Sequence, residues 1–321
     1  MKLWLKNPLS ILAENAGGGI VLEGTSIVEL VPSGAQPSLP FDSVFDASSH
    51  IILPGLINLH HHFYQTLTRV FPAALNKDLF PWLKTLYPIW AKLSPEALRL
   101  GTRLALAELL LSGCTTTSDH HYIFPSGLEK AIDWQVEEAQ LLGIRVVLCR
   151  GSMDRSQKDG GLPLDSVVQT SDEILEDSER LINKYHNSNE GAMTQIALAP
   201  CSPFSVSEKV MHESSKLSKK HSVLLHTHLA ETEDENSFCL EKMGCRPLEY
   251  LEQVGWLTNR TWLAHGIHFT DKEIQKLGTS KTGLAHCPSS NMLLSSGVCR
   301  VPELEKSGVP VGIGVDGSAS N

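Results

Sequence analysis

The chain has 321 residues, of which 41% are hydrophobic and 20% are charged, and its formal net charge is −9. This length is too great for one small domain and fits one large domain with a small accessory unit. The acidic balance and the lack of any Lys/Arg run argue against a nucleic-acid partner, because phosphate binding needs a basic patch.

Cysteine usage and the N-terminus indicate the compartment. The seven cysteines are odd in number and none forms a Cys-x-x-Cys pair, which is typical of a reduced, cytosolic protein. Residues 1–8 contain no long apolar segment of the kind that a signal peptide requires. No apolar run approaches the roughly 20 residues of a membrane helix. We therefore predict a cytoplasmic protein without a membrane partner.

Residues 1–52 have the pattern of a small β unit. Short β-like segments alternate with Gly and Pro, and no helical period is present; the segments include Gly19–Leu22, Ser26–Val31 and Ser43–Asp46. We predict that this unit is half of a composite β-sandwich.

Eight apolar runs follow, separated by stretches with helical periodicity. The runs are Ile52–Leu59, Cys114–Ser118, Arg145–Arg150, Gln195–Cys201, Val223–Leu229, Trp262–Ile267, Gly283–Cys287 and Val309–Val315. The helical stretches include Pro95–Leu111, Leu128–Leu142, Ser171–Tyr185 and Glu208–His221. Near-continuous apolar strands that alternate with helices are typical of a closed parallel sheet. We predict an α/β fold, a TIM-like (β/α)8 barrel over residues 53–321.

Ionisable side chains gather at the carboxyl ends of four of these runs, where such barrels place their active sites. The first run ends in His60, His61 and His62, and the eighth ends at Asp316. His60 and His62 are two residues apart on a strand, so they face the same way, and His61 points away. Imidazoles together with a carboxylate suit Zn²⁺ or Fe²⁺. The pattern predicts a metal at the mouth of the barrel.

Two further histidines are harder to interpret. His226 shares a face with His228 on the fifth run but lies one pleat deeper, which favours a supporting or packing position over ligation. His286, near the end of the seventh run, is a rim residue whose role stays open.

Three motifs resemble the amidohydrolase superfamily in its deaminase branch: Pro54–His62, His228–Glu231 and Gly314–Gly317. The resemblance extends over nearly the whole chain. It implies one metal ion, Zn²⁺ with Fe²⁺ as the alternative, bound by His60, His62, His228 and Asp316. It also implies that Glu231 shuttles protons and that His265 contacts the metal-bound water. Asp316 would accept a proton from that water. The nearby Glu233, Asp234 and Glu235 are interpreted as solvated loop carboxylates.

Further stretches, among them Ala199–Val206 and Asn291–Leu294, are similar to aminohydrolases of oxidised purines and pterins. The resemblance implies hydrolysis of 8-oxoguanine, a small heterocycle, to urate and ammonia. Deamination of isoxanthopterin or another pterin or guanine-type base is the alternative, and halide displacement from a triazine is a second one. A binuclear site would require a Lys or Glu at the fourth run, which ends in Pro200 and Cys201 instead.

A flat bicyclic substrate needs hydrogen-bonding groups at its edges and an apolar slot for its faces. We assign these roles to four residues that follow the first three runs, namely Gln65, His121, Tyr122 and Arg150. Gln65 could instead cap a loop, and Arg150 could instead pair with an acidic helix residue such as Glu138. Trp82 and Trp90 are candidates for stacking on the ring.

The printed sequence ends five residues after Asp316. A (β/α)8 barrel needs a helix after its eighth strand. Members of the family that this chain resembles continue for roughly another hundred residues. We therefore expect a fragment or truncated product that aggregates or binds metal weakly, which makes an inactive fragment the third alternative. A homo-oligomer, in which a second copy covers the gap, is the competing expectation.

Overall fold

A computed structural model describes all 321 residues. The chain divides into two compact units, residues 1–56 with 188–193, and residues 57–187 with 194–321. The short segment 188–193 thus groups with the N-terminal unit, although it lies far along the chain. The predicted domain boundary after residue 52 stays a prediction.

The first unit is built on a small four-stranded sheet. The six strands of the unit are β1 (Lys2–Lys6), β2 (Ser10–Ile11), β3 (Gly19–Glu23), β4 (Ser26–Val31), β5 (Ser43–Asp46) and β6 (Ile51–Ile52). The main sheet has the order β4-β3-β1-β5, and β2 pairs separately with β6. Strand β1 is antiparallel to β3 and parallel to β5. Trp4, Val21 and Val31 form its buried core.

The second unit contains eight parallel strands in sequential order. They are β7 (Leu56–Asn58), β8 (Cys114–His121), β9 (Arg145–Ser152), β10 (Thr194–Pro200), β11 (Leu225–Leu229), β12 (Thr261–His265), β13 (Gly283–His286) and β14 (Val311–Ile313). Each corresponds to one of the eight predicted runs, so the predicted fold class is confirmed.

The first and last strands meet through hydrogen bonds just beyond their ends. The Leu59 N–H donates to the Ile313 carbonyl (2.9 Å), and the Asp316 N–H donates to the His60 carbonyl (2.9 Å). These bonds close the sheet into a barrel. They also place His60 and Asp316, which are far apart in sequence, on neighbouring segments.

Ten α-helices accompany the strands. They are α1 (Leu79–Trp90), α2 (Pro95–Leu111), α3 (Ala131–Leu142), α4 (Ser171–Tyr185), α5 (Glu208–His221), α6 (Glu233–Met243), α7 (Pro247–Gln253), α8 (Asp271–Ser280), α9 (Pro288–Leu293) and α10 (Val301–Lys306). Helix α4 begins at a capping box in which Thr170 and Glu173 satisfy each other's backbone N–H groups. Three predicted helices have the predicted bounds, and the predicted Leu128–Leu142 helix begins at Ala131.

The second unit contains a large buried apolar core. Its core includes fully buried Leu86, Leu98, Leu106 and Leu128. The seven cysteines are all buried and unpaired, in agreement with a protein that has no disulfide framework. None of the helices has both the length and the apolar character that a bilayer crossing demands.

Candidate active site

Four buried ligand groups converge at the carboxyl end of the barrel. His60 and His62 follow β7, His228 lies on β11 and Asp316 follows β14. The Asp316 Oδ1 atom is 3.3 Å from His60 Nε2 and 3.2 Å from His62 Nε2. The Nε2 atoms of His62 and His228 are 3.1 Å apart. The structure therefore brings together all four predicted metal ligands.

The hydrogen bonds behind the imidazoles define their tautomers. The Nδ1–H group of His62 donates to the His120 carbonyl, and that of His228 donates to the Cys201 carbonyl. Both nitrogen–oxygen distances are 2.7 Å. Both Nε2 atoms are therefore bare lone pairs, and they face each other. Two such lone pairs repel unless a cation lies between them. The buried His60 Nε2 atom also has no hydrogen-bond partner. This donor set fits a bound metal ion.

His226 supports His60 from below, in the position that its place on the strand suggested. Its Nε2 atom lies 2.7 Å from His60 Nδ1, and its own Nδ1–H donates to the Trp262 carbonyl (2.8 Å). The His226 ring also stacks on the Trp262 ring, with centroids 4.2 Å apart. This chain of hydrogen bonds turns the His60 Nε2 atom towards Asp316.

Burial and neighbouring groups establish the charges of these ligands. Burial lowers the pKa values of His60 and His228, so both are neutral ligands at neutral pH. Burial alone would raise the pKa of Asp316, but the close approach of the His60 and His62 rings holds it well below its usual range. Asp316 is therefore ionised.

His265 and Glu231 lie beside the ligands. His265 Nε2 is 3.4 Å from Glu231 Oε2 and 4.0 Å from Asp316 Oδ2. Burial lowers the pKa of His265 to about 3. Burial, with the negative charges of Asp316 and Glu235, raises the pKa of Glu231 well above its usual value. Burial therefore favours the protonated form of Glu231, which lies next to a neutral imidazole.

Three residues of the site have left-handed backbone conformations that non-glycine residues seldom adopt. The φ angles are +54° at Ala230, +74° at His265 and +62° at Asp316. Each is held by surrounding bonds, such as the donation from the Gly317 N–H to Asp316 Oδ1 (2.7 Å). Strain of this kind concentrates at functional sites, because the fold has to aim side chains at one point.

A cavity opens beside the ligands and Glu231. Its walls are largely aromatic or aliphatic, and its lining includes Leu79, Trp82, Leu83, Tyr87, Tyr122, Phe204 and Leu294. It holds about 30 Å³, roughly the volume of one water molecule. A bicyclic molecule can therefore enter only after the surrounding side chains move.

Of the four predicted substrate-binding residues, only Tyr122 lines the cavity. Its ring lies against His62. Gln65 is buried but does not line the cavity; its Oε1 atom has no hydrogen-bond partner and lies beside Gly317. Trp82 also lines the cavity, whereas Trp90 donates to Thr68 Oγ1 outside it.

His121 and Arg150 are not brought to the cavity. The His121 ring packs on Phe124 and Tyr64, on the opposite face of β8. Arg150 is fully buried and donates to Asp177 Oδ2 (2.6 Å) and Gln169 Oε1 (2.7 Å). Its donors are thus occupied in a structural ion pair.

The alternative role of Arg150, an ion pair with an acidic helix residue, is present, but its partner is Asp177 and not Glu138. Glu138 is bound by Arg99 (2.9 Å) and Arg103 (2.8 Å). The carboxylate that holds Arg150 comes from α4 rather than from α3.

Sequence reasoning missed several residues of the site. His120 stacks on His228 with ring centroids 4.6 Å apart and belongs to a group of four imidazoles that could hold a metal. The Asn291 amide nitrogen lies 3.0 Å from His265 Nδ1, which leaves the His265 proton on Nε2. Glu235, interpreted as solvated, is in fact buried. The His120-His121 pair was a signal, but alternation alone does not say which ring faces inwards.

Known proteins are similar to this chain in sequence and in fold. The chain is 59% identical to 8-oxoguanine deaminase of Pseudomonas aeruginosa, with 100% of this chain and 72% of the relative covered. It is 37% identical to an isoxanthopterin deaminase from an unknown prokaryotic organism, over 90% of this chain and 61% of that protein.

Solved structures agree. A zinc complex of atrazine chlorohydrolase from Arthrobacter aurescens superposes with a TM-score of 0.91 at 28% identity, covering 100% of this chain and 72% of that one. The model of the amidohydrolase family matches residues 51–321. Together with the buried ligand cluster, these likenesses show that the chain belongs to the amidohydrolase family and is a metal-dependent hydrolase of carbon–nitrogen bonds.

Proposed function

We propose that this chain hydrolyses 8-oxoguanine to urate and ammonia with one bound Zn²⁺. The observation that carries the proposal is the buried Glu231 carboxyl group, 3.4 Å from His265 and beside two imidazole lone pairs that face each other. The 59% identity to an 8-oxoguanine deaminase, across the whole of this chain, supports this substrate over others.

His60, His62, His228 and Asp316 would hold the zinc, which when bound lowers the pKa of a water molecule towards neutrality. Support for a single ion comes from β10, which ends at Pro200 and is followed by Cys201, so that no Lys or Glu is available there to bridge a second metal. The sequence alternative of Fe²⁺ stays a prediction.

The protein's own groups supply the proton transfers. Glu231 can protonate a ring nitrogen of the substrate as water adds to the carbon that carries the amino group. Ionised Asp316 accepts a proton from that water, and the Nε2–H of His265 stabilises developing negative charge. The proton taken up by Asp316 then passes through Glu231 to the departing amine, and the remaining proton of the added hydroxyl group returns to Glu231 as the new carbonyl forms. One water is consumed and one ammonia is released.

Recognition of the ring rests on the cavity walls. Trp82, Tyr87, Tyr122 and Phe204 provide aromatic walls. Gln65 has an unpaired, buried amide oxygen beside Gly317 and would reach the substrate once the Gly317 segment shifts. His121 and Arg150 are better explained as structural residues. The predictions of a cytoplasmic location and of a homo-oligomer stay predictions.

The experiment that tests the function is an ammonia-release assay on the zinc-loaded protein. The panel contains 8-oxoguanine, isoxanthopterin, guanine, isocytosine and cytosine. We expect fastest turnover of 8-oxoguanine, with urate identified by its ultraviolet spectrum. Faster turnover of isoxanthopterin would select the alternative, which the 37% identical relative supports. Absence of ammonia from every base would contradict the proposal.

Glu231→Gln tests the chemistry separately from folding. The amide keeps the shape but cannot donate and recover a proton, so we expect turnover to fall by at least about 10²-fold, with zinc content unchanged. Glu241→Gln, at an exposed position of α6, is the matched control and should keep normal activity. Near-native turnover of Glu231→Gln would remove Glu231 from the mechanism.

A further inference from the structure

Glu235 is a buried carboxylate that the mechanism above does not use. It lies in the first turn of α6, four residues after Glu231, and is 1% exposed. Its Oε1 atom accepts the N–H of Ala230 and its Oε2 atom accepts the N–H of Glu231, each over 3.0 Å. Both oxygens are thus committed to the backbone of the segment that carries the proton shuttle.

That segment is strained and is held from two sides. Ala230 has a left-handed conformation, with φ +54°. Its carbonyl accepts the N–H groups of Ile267 (2.8 Å) and His268 (2.9 Å), just after His265. The N–H side of the same turn is held only by Glu235. The N–H groups of the turn therefore depend on the Glu235 side chain, and its carbonyl depends on the loop after β12.

The neighbouring acidic residues show that Glu235 is not an ordinary helix-end carboxylate. The Glu233 side chain is 74% exposed and pairs with His268, and Asp234 is exposed. Thr232, at the helix start, makes no side-chain capping bond. Of the three acidic residues in this turn, Glu235 alone points back to the loop that precedes the helix.

We infer that Glu235 is a positioning residue, whose two backbone hydrogen bonds hold the Ala230–Glu231 turn so that the Glu231 carboxyl group reaches His265 and the substrate. The inference rests on the proposed role of Glu231 as the proton shuttle. Glu235 itself touches neither substrate nor metal.

The test is a double-mutant cycle with Glu235→Gln and Glu231→Gln. Glutamine has one acceptor oxygen, and its NH₂ group would face a backbone donor, so one of the two bonds is lost. We expect Glu235→Gln to lower kcat by about 10- to 100-fold, the effect of a small misplacement of a reacting group, with KM and zinc content near normal. In the Glu231→Gln background the same change should lower kcat by less than about twofold, because there is no shuttle left to position.

Glu235→Asp separates position from charge and also serves if the Gln variant is unstable. Aspartate keeps the negative charge but is one methylene shorter, so it cannot span both N–H groups. We expect kcat to fall here as well. Native kcat in the Asp variant would mean that only the charge matters and would overturn the inference. Glu241→Gln is again the control on the same helix.

The outcomes also distinguish the two proposals. An equal fold-loss from Glu235→Gln in both backgrounds would show a general structural role and overturn the inference, while leaving Glu231 in place. Native kcat in the Glu231→Gln single variant would instead remove the proposed shuttle itself. Melting temperature and zinc content, measured for every variant, identify any loss that comes from unfolding.

Discussion

The three proposed histidine ligands differ in the group that accepts the hydrogen bond of their Nδ1–H. His62 and His228 donate to backbone carbonyls, which no side-chain substitution removes. His60 donates instead to a side chain, His226, which is itself held by the Trp262 carbonyl. At the scale of the residue, His60 is therefore the ligand whose orientation depends on one other residue.

Substitution of the proposed ligand His228 and of the supporting residue His226 should have different effects on zinc binding. His228→Ala removes a neutral nitrogen ligand, so we expect near-complete loss of tightly bound zinc. His226→Ala leaves every ligand in place but frees the His60 ring, and we expect zinc affinity to fall about 10- to 100-fold. Zinc per chain, measured after dialysis against graded chelator, distinguishes the two.

His212→Ala, at an exposed position of α5, is the control and should bind zinc normally. A full equivalent of tightly bound zinc in His228→Ala would show that the ligand set is wrong. Unchanged affinity in His226→Ala would show that His60 needs no support from it.

At the scale of the element, helix α4 is fastened to two neighbours through buried charges. On α3, Asp133 accepts hydrogen bonds from Arg180 (2.7 and 3.0 Å), Lys184 (2.8 Å) and Tyr185 (2.7 Å), all on α4. Near its middle, α4 also supplies Asp177 to the buried Arg150 of β9. Charge-assisted bonds of this kind fix how the helix lies on the barrel.

Asp133→Asn should destabilise this layer, because the amide cannot accept all these donors. We expect the free energy of unfolding at pH 7 to fall by about 1.5–3 kcal/mol, the range for hydrogen bonds to charged groups. Denaturant unfolding measures the change. Asp172→Asn removes an equivalent charge from an exposed position of α4 and should have little effect. Equal stability of the two variants would show that the buried cluster contributes nothing.

The same cluster predicts a pH dependence. Burial would raise the pKa of Asp133, but the hydrogen bonds from Arg180, Lys184 and Tyr185 hold it well below its usual value. A carboxyl group whose pKa is lower in the folded state stabilises the protein above its ordinary pKa of about 3.9. That contribution is lost as the pH falls through the lower, folded-state pKa. The stability difference between the wild type and Asp133→Asn should therefore be constant at neutral pH and shrink below about pH 4. A difference that grew on acidification would contradict the assignment.

At the scale of the whole molecule, the proposed metal ligands connect parts of the chain that are remote in sequence. They come from the first, fifth and eighth strands, and the first and eighth meet at the seam where the sheet closes. A metal bound there crosses the seam. Its binding free energy should therefore stabilise the closed barrel, since an unfolded chain does not assemble these four ligands.

Zinc removal should lower the melting temperature of the intact chain. At free zinc a hundredfold above Kd the bound ion contributes about 2.7 kcal/mol of stability, so the zinc-loaded protein should melt measurably above the chelator-treated one. Scanning calorimetry checks this. His228→Ala should show no such rise when zinc is added. Coincident melting curves for zinc-loaded and zinc-free wild type would mean that the ligands bind no metal in the folded state.

The amino-acid sequence by itself determined the eight strands, and it also indicated the proposed metal ligands that the structure brings together. Strand and helix periodicity is a local property, and all eight predicted runs are strands. The ligand histidines and Asp316 stand at strand ends, and parallel strands in a barrel present those ends at one mouth, so their convergence follows from the topology alone.

Only the tertiary structure decided which way individual side chains face and what lies behind them. Alternation along β8 puts His120 and His121 on opposite faces, but pairing with the neighbouring strands selected His120 for the interior. Arg150 forms an ion pair with Asp177 of α4. Glu235 is buried because the first turn of α6 packs against the Ala230 turn. Burial and pairing of a charged side chain depend on which segments pack around it, and that packing brings together residues whose separation in sequence carries no periodic signal.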